Sequence, residues 1–175
     1  IKVMPITYKI LNSKGQFLQP EKTLVLDEKT SSIELKNLSK KPAISLLNSF
    51  SAPVIVEFKQ SIDDLFAILE FETDFTSVWM TKKKLDYIVL EKIASDQPIV
   101  ENIISRVYQI LINKMDKRSL LAKLLEPLND NEYFSRLLET TTPDPNVIQT
   151  ELRKYEDLYK RCFKEFSISY FKSFI

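Results

Sequence analysis

Two adjacent carboxylates, a run of three lysines and one thiol are the side chains whose types and spacing could do chemistry. Asp63 and Asp64 in "SIDDL" are the pair a general acid and base would need. Neighbours on a helix point to different faces, so these two read as first-turn acids that complement the helix dipole. Lys82, Lys83 and Lys84 in "MTKKKLDY" could meet a phosphate, and on a helix they read instead as a solvated face. Cys162 could act as a nucleophile, but the chain has no histidine to take its proton. It reads as a buried or half-buried structural thiol. The stretch "TELRKYEDLYKRCFKEF" interleaves basic and aromatic residues as an RNA-binding segment would. Its acids nearly match its bases, which makes it an ordinary amphipathic helix.

Absences bound the chemistry further. No histidine means no imidazole acid, base or metal ligand. Gly15 is the only glycine, so no glycine-rich loop can wrap a phosphate in backbone N–H groups. A lone cysteine rules out a disulfide framework and implies a reduced or redox-indifferent setting. Lys and Arg number 25 against 24 Asp and Glu, too balanced for a nucleic-acid or acidic-membrane surface. No apolar run approaches the roughly 20 residues that span a bilayer, and no signal peptide is seen. We therefore expect no catalytic, cofactor-binding or metal-binding residue in this chain.

The elements that would position these groups fall in two blocks. Residues 1–60 read as short strands: "IKVMPITYKIL" with Ile6, Tyr8 and Ile10 on one face, then "TLVLD", "SSIELKN", "AISLL" and "PVIVEF". "NSKGQ" is a turn, and Pro53, which cannot donate to a ladder, belongs at a strand start or on an edge. From Ser61 the apolar period becomes helical. Ser61 is the expected N-cap of a helix carrying Ile62, Leu65, Phe66 and Leu69. Further helices are expected over about Asp74–Ala94, after Pro98, over about 117–126 and 131–139, and from a cap at Asn146 through Phe174. Trp79, Leu85, Ile88 and Val89 form the inner side of the second helix. The architecture is multi-domain, β then α: an antiparallel β-sandwich portion at 1–60, then an α-helical array at 61–175. Residues 1–60 carry nine lysines and five acids and the rest 16 bases and 19 acids, a shift that fits a domain change. Ile1 opens inside a strand-like run and "FKEFSISYFKSFI" is still amphipathic at its end, so both domains read as truncated at the outer ends.

The junction residues resemble a known family. Phe50-Ser51-Ala52-Pro53-Val54, followed by Asp74-Phe75 and Trp79, is similar to the C-terminal third of bacterial aminopeptidase N (alanyl aminopeptidase), a zinc metallopeptidase of the gluzincin class. The step from Asp74-Phe75 to Trp79 is one residue longer than the family's. "ITYKILNSKGQ" resembles the family's strand and turn, and Asp144-Pro145, Ile148 and Arg153 its D-P-x-x-I-x-x-x-R helix start. The resemblance implies that an immunoglobulin-like sandwich ends and an armadillo- or HEAT-like helical domain begins here.

It also implies a role without chemistry. The family's zinc ligands, its H-E-x-x-H helix and its catalytic tyrosine lie upstream, and no residue here matches them. The parent would be a cytoplasmic zinc aminopeptidase that removes N-terminal residues from peptides, with zinc in its absent catalytic domain. This piece would supply scaffold and chamber wall. Its partners would be the parent's own catalytic domain and that enzyme's peptide substrates, with no nucleic acid and no membrane. The alternative is a stand-alone protein-interaction module. The aromatic stripe Leu152, Tyr155, Leu158, Tyr159, Cys162, Phe163, Phe166, Tyr170, Phe171 and Phe174 further suggests self-association through the last helix.

Overall fold

A computed structural model describes residues 3–12, 14–27, 32–36, 38, 41–54, 56, 58–98, 101–114, 118–138 and 144–172, and all their side chains except those of 118, 136, 138 and 168–172. The chain divides into two compact units, Ile1–Thr81 and Lys82–Ile175.

Three antiparallel strands build the first unit: β1 (Met4–Leu11), β2 (Lys22–Leu26) and β3 (Ala43–Leu46), in the order β2-β1-β3. β1 alternates as its sequence predicts, with Ile6, Tyr8 and Ile10 all buried. Pro5 sits inside this central strand, opposite Val25. The geometry tolerates it. Thr7, two residues on and so facing the same way, directs its N–H to Ser51 and receives the Leu47 N–H on its carbonyl. The missing N–H of Pro5 therefore points away from β2, and β3 pairs only with Tyr8–Leu11. On the outer edge of β3, the Gln60 amide donates to the Ile44 carbonyl at 3.0 Å.

The turn after β1 is organised by Asn12, whose side-chain oxygen accepts the N–H groups of Lys14 and Gln16 at 2.9 and 3.0 Å. Gly15 takes φ 76°, which a side chain would resist.

Helix α1 (Ile62–Phe71) starts at a capping box: Ser61 Oγ accepts the Asp64 N–H while the Asp64 carboxylate accepts the Ser61 N–H. Its Leu65, Phe66, Ile68 and Leu69 are buried. Ile68 joins Leu11 and Ala43 in one cluster. Ile6, Leu47 and Ala52 form another, with Leu26, Leu46, Val54, Val56 and Met80 against it. The unit division falls within helix α2 (Phe75–Ala94).

Two expected strands are corrected. Residues 32–36 of "SSIELKN", and the described residues of "PVIVEF", hold no strand. Alternating hydrophobicity marks a half-buried surface, but a strand also needs a partner ladder. Val54 spends its N–H locally, on the Ala52 carbonyl two residues back.

The second unit contains helices α3 (Glu101–Lys114), α4 (Arg118–Leu125), α5 (Asp130–Leu138) and α6 (Pro145–Lys172). Asn129 and Glu132 form a reciprocal cap on α5. α6 is capped by Asp144 rather than Asn146: the Asp144 carboxylate accepts the Asn146 N–H at 2.8 Å, and Pro145 takes the first helical position, where a missing N–H costs nothing. α3 buries Ile103, Ile104, Val107, Tyr108, Ile110 and Leu111; it packs on α4 and α6, and α5 also packs on α6. Among the described residues no strand follows Leu46, and no helix is long and apolar enough to cross a membrane.

Candidate functional site

The first unit carries a buried carboxylate junction. A tight turn at Leu47–Phe50 places Leu47, Ser49 and Phe50 at φ 59°, 55° and 57°, a left-handed run without glycine. Such residues persist only where their surroundings hold them. Here Thr7 Oγ1 donates to the Asn48 carbonyl at 2.7 Å, the Ser51 hydroxyl accepts the Thr7 N–H at 3.0 Å, and Asp74 accepts the Ser49 N–H at 3.1 Å. The Asn48 amide then donates inward to Glu72 at 3.0 Å and to Ser77 at 2.9 Å. Asn48 and Glu72 are both fully buried.

Every side of Glu72 is occupied. Its Oε1 accepts Lys9 Nζ at 2.7 Å and the N–H groups of Thr73 and Asp74 at 2.8 and 3.0 Å. Burial pushes this carboxyl up, but the Asp74 N–H, Lys9 and Ser45 outweigh it and hold the group below its ordinary value. Asp74 is likewise held down, against its own burial, by donors from Ser77 and Ser49. It also caps α2, accepting the Ser77 N–H at 2.9 Å. Asp74, one of the residues that carry the family resemblance, thus bonds to Ser49, the residue just before Phe50–Val54. An ionised carboxylate with all its acceptor positions filled is a fastener and not a proton carrier.

The second unit holds a buried ion pair. Lys82 and Asp86, one turn apart on α2, are 1% and 2% exposed, with Nζ 2.7 Å from Oδ2. Lys82 also donates to the Glu126 carbonyl and lies 5.3 Å from the Tyr159 ring centroid. The Tyr159 hydroxyl donates to Asp86 Oδ1. One turn back on α6, the Tyr155 hydroxyl accepts the Leu128 N–H at 3.2 Å. Burial pushes Lys82 down and Asp86 up, and their mutual attraction opposes both shifts. The solvated lysine face expected from "KKK" is therefore corrected for Lys82, and Lys83 pairs with Glu132. The missed signal was periodicity. Val78, Lys82, Leu85 and Val89 share one helical stripe, and all four are buried.

The remaining candidates sit apart. Asp63 is exposed, and Asp64 serves the capping box. Trp79 and Ile88 are half-buried, while Leu85 and Val89 are buried. Cys162 is buried, and burial raises its thiol. Of the α6 stripe, Leu152, Tyr155, Leu158, Tyr159 and Cys162 are buried, Phe166 is half-buried and Phe163 is 49% exposed. The side chains of Tyr170 and Phe171, and all of Phe174, lie outside the described residues.

An apolar cleft of about 130 Å³ on the sheet face, between Tyr8, Ile10, Ile44, Leu46, Ile33 and Phe58, carries no acid or base. Among the described residues no group of three or more His, Cys, Asp or Glu could hold a metal ion.

Residues 2–59 match the model of a family described as a domain of unknown function (DUF3458) with an Ig-like fold. No curated protein matches the chain. Among solved structures, the crystal structure of Legionella pneumophila aminopeptidase A in complex with aspartic acid matches with a TM-score of 0.75 at 23% identity, over 94% of this chain and 20% of that one. The chain spans about one fifth of that solved protein, and at this identity the likeness is one of fold: an Ig-like β portion followed by helices.

Proposed function

We propose that this chain is the non-catalytic C-terminal part of a zinc-dependent aminopeptidase, the end of its sandwich domain at 1–60 and the start of its helical domain at 61–175. The observation that carries this reading is the fold likeness over 94% of the chain to one fifth of an aminopeptidase. The family match, which stops at residue 59 just before α1, supports the same division.

In this reading the parent releases N-terminal residues from peptides in the cytoplasm, and zinc resides in a part of the enzyme outside this chain. The present stretch is scaffold and chamber wall. Its two buried polar clusters fasten elements to one another, which fits a wall better than a reaction centre.

The gene upstream of Ile1 tests the reading. An H-E-x-x-H helix is expected within the preceding few hundred codons, and its absence overturns the proposal. As a second arm, the purified chain is expected to leave an alanyl chromogenic substrate intact. Chelator-sensitive hydrolysis by this chain alone would contradict the scaffold role.

A further inference from the structure

The buried stripe of the long helix α6 nearly repeats itself one turn along, and the pattern of its hydroxyl groups does not. Its buried positions are Ile148, Leu152, Tyr155, Leu158, Tyr159 and Cys162. A slip of four residues would present Leu152, Glu156, Tyr159, Cys162, Phe163 and Phe166 at those same places. Five of the six substitutes are apolar or aromatic. At these six places hydrophobic patterning separates the two registers chiefly by Glu156 in the place of Leu152, while among the residues that leave them Leu158 would move to the exposed place of Lys154. One-turn ratchets of this kind are a known mode of helix rearrangement.

Polar contacts distinguish them sharply. In the native register Tyr155 takes the Leu128 N–H, while Tyr159 donates to the buried Asp86 carboxylate. After the slip, Tyr159 could serve Leu128, but Phe163 would face Asp86 with no hydroxyl to give. A buried carboxylate deprived of a donor is costly. The Tyr133 hydroxyl, which donates to Glu151 at 2.7 Å, makes a second contact specific to the native register. We propose that the buried Lys82–Asp86 pair is a register reader for α6: it accepts the helix only when a tyrosine hydroxyl arrives at Asp86, and so excludes the neighbouring packing. Buried polar groups that fix register are the best-attested use of such pairs. The inference is independent of the aminopeptidase reading.

Cys162, the only cysteine, supplies the assay. Its thiol donates to the Glu101 carbonyl on α3 at 3.9 Å, and Ser105 stands one turn further along that helix, so Ser105→Cys in the full chain should form a disulfide with it under a mild oxidant. A one-turn slip moves Cys162 by about 5.4 Å and takes it out of bonding range. Two variants are compared in that background: Tyr133→Phe/Glu156→Leu, and the same with Phe163→Tyr, so that they differ by one hydroxyl. With Phe163→Tyr the slipped helix again offers a hydroxyl to Asp86. The initial oxidation rate should fall by about twofold or more as the slipped population rises. Equal rates for the two variants overturn the proposal. Should the multiple variant fail to fold, Glu156→Leu is compared with Glu156→Leu/Phe163→Tyr; a slower rate for the tyrosine variant supports the reader, and equal rates again overturn it.

Discussion

The Asn48 amide donates to the Glu72 carboxylate at 3.0 Å across 24 positions of sequence, and neither side chain reaches solvent. That one bond ties the left-handed turn after β3 to the end of α1. Through Ser77 it also reaches the first turn of α2. Asn48→Ala removes a donor from a buried carboxylate and leaves the Ser77 hydroxyl short of a partner. A loss of roughly 1–3 kcal/mol is expected, the scale of a hydrogen bond to a charged group, because Lys9 and two backbone N–H groups stay on the carboxylate. Urea titration followed by the fluorescence of Trp79, the only tryptophan and a member of this unit, measures it. A change within about 0.5 kcal/mol, the scale of a neutral surface substitution, would show the junction to be incidental.

Acid should open the first unit before the second. Glu72 and Asp74 are held below their ordinary values of 4.5 and 3.8; burial pushes each up, and donated hydrogen bonds more than reverse it. As the pH falls, the unfolded chain takes up these protons first. The stability the two groups contribute is therefore present above about pH 4.5 and is lost as the pH drops through their folded values. Asp86 has the opposite sign. Burial raises it, so its protonation favours the folded state of the second unit as the pH falls and offsets the loss at Glu132, whose burial is outweighed by Lys83 and the Asn129 N–H. The Trp79 signal is expected to change at a higher pH than the near-ultraviolet signal of Tyr108, Tyr155 and Tyr159. Coincident transitions would refute this ordering.

Gly15 is predicted to be irreplaceable for two separable reasons. Its φ of 76° suits glycine, and a Cβ there would fall inside the Phe71 ring. Gly15→Ala should cost about 2–4 kcal/mol, combining a left-handed alanine with a steric clash. In a Phe71→Ala background only the backbone part should remain, about 1 kcal/mol. The double-mutant cycle reads the difference. Additive effects would mean that the ring does not set the turn.

How much of this was legible in the sequence depended on whether a feature is decided locally. The Ser61 N-cap, the apolar stripes of α1 and α3, and the alternation of β1 are short-range matters and can be read directly. "SSIELKN" and "PVIVEF" failed because a strand is made by its partner, and here Val54 turned its N–H to a neighbour instead. The α6 cap was misplaced by two residues because Asp144 and Asn146 are equally good caps by type; Pro145 decided between them. The Asn48–Glu72 bond left no sequence signal, since the two sides meet only after the chain has folded. Lys82 was a different failure. Its position on the Val78–Leu85–Val89 stripe is visible in the sequence, but three consecutive lysines also read as a solvated run of charge, and only the helical period separates Lys82 from its neighbours.

The buried pair in the second unit leads to a prediction in which two changes do less harm than one. Lys82→Met leaves Asp86 buried with the Tyr159 hydroxyl but no counter-charge. Asp86→Leu leaves an ammonium 1% exposed with only the Glu126 carbonyl to receive it. Each single variant should lose about 3–5 kcal/mol, the usual cost of stranding one buried charge. Lys82→Met/Asp86→Leu strands neither, and its stability should return to within about 1–2 kcal/mol of the parent, because the desolvation cost of both ions disappears with their attraction. Thermal and urea unfolding followed by the tyrosine signal measures all four proteins. If the double variant loses as much as the sum of the singles, the pair is not a coupled unit, and its burial must be stabilising through each partner's separate contacts.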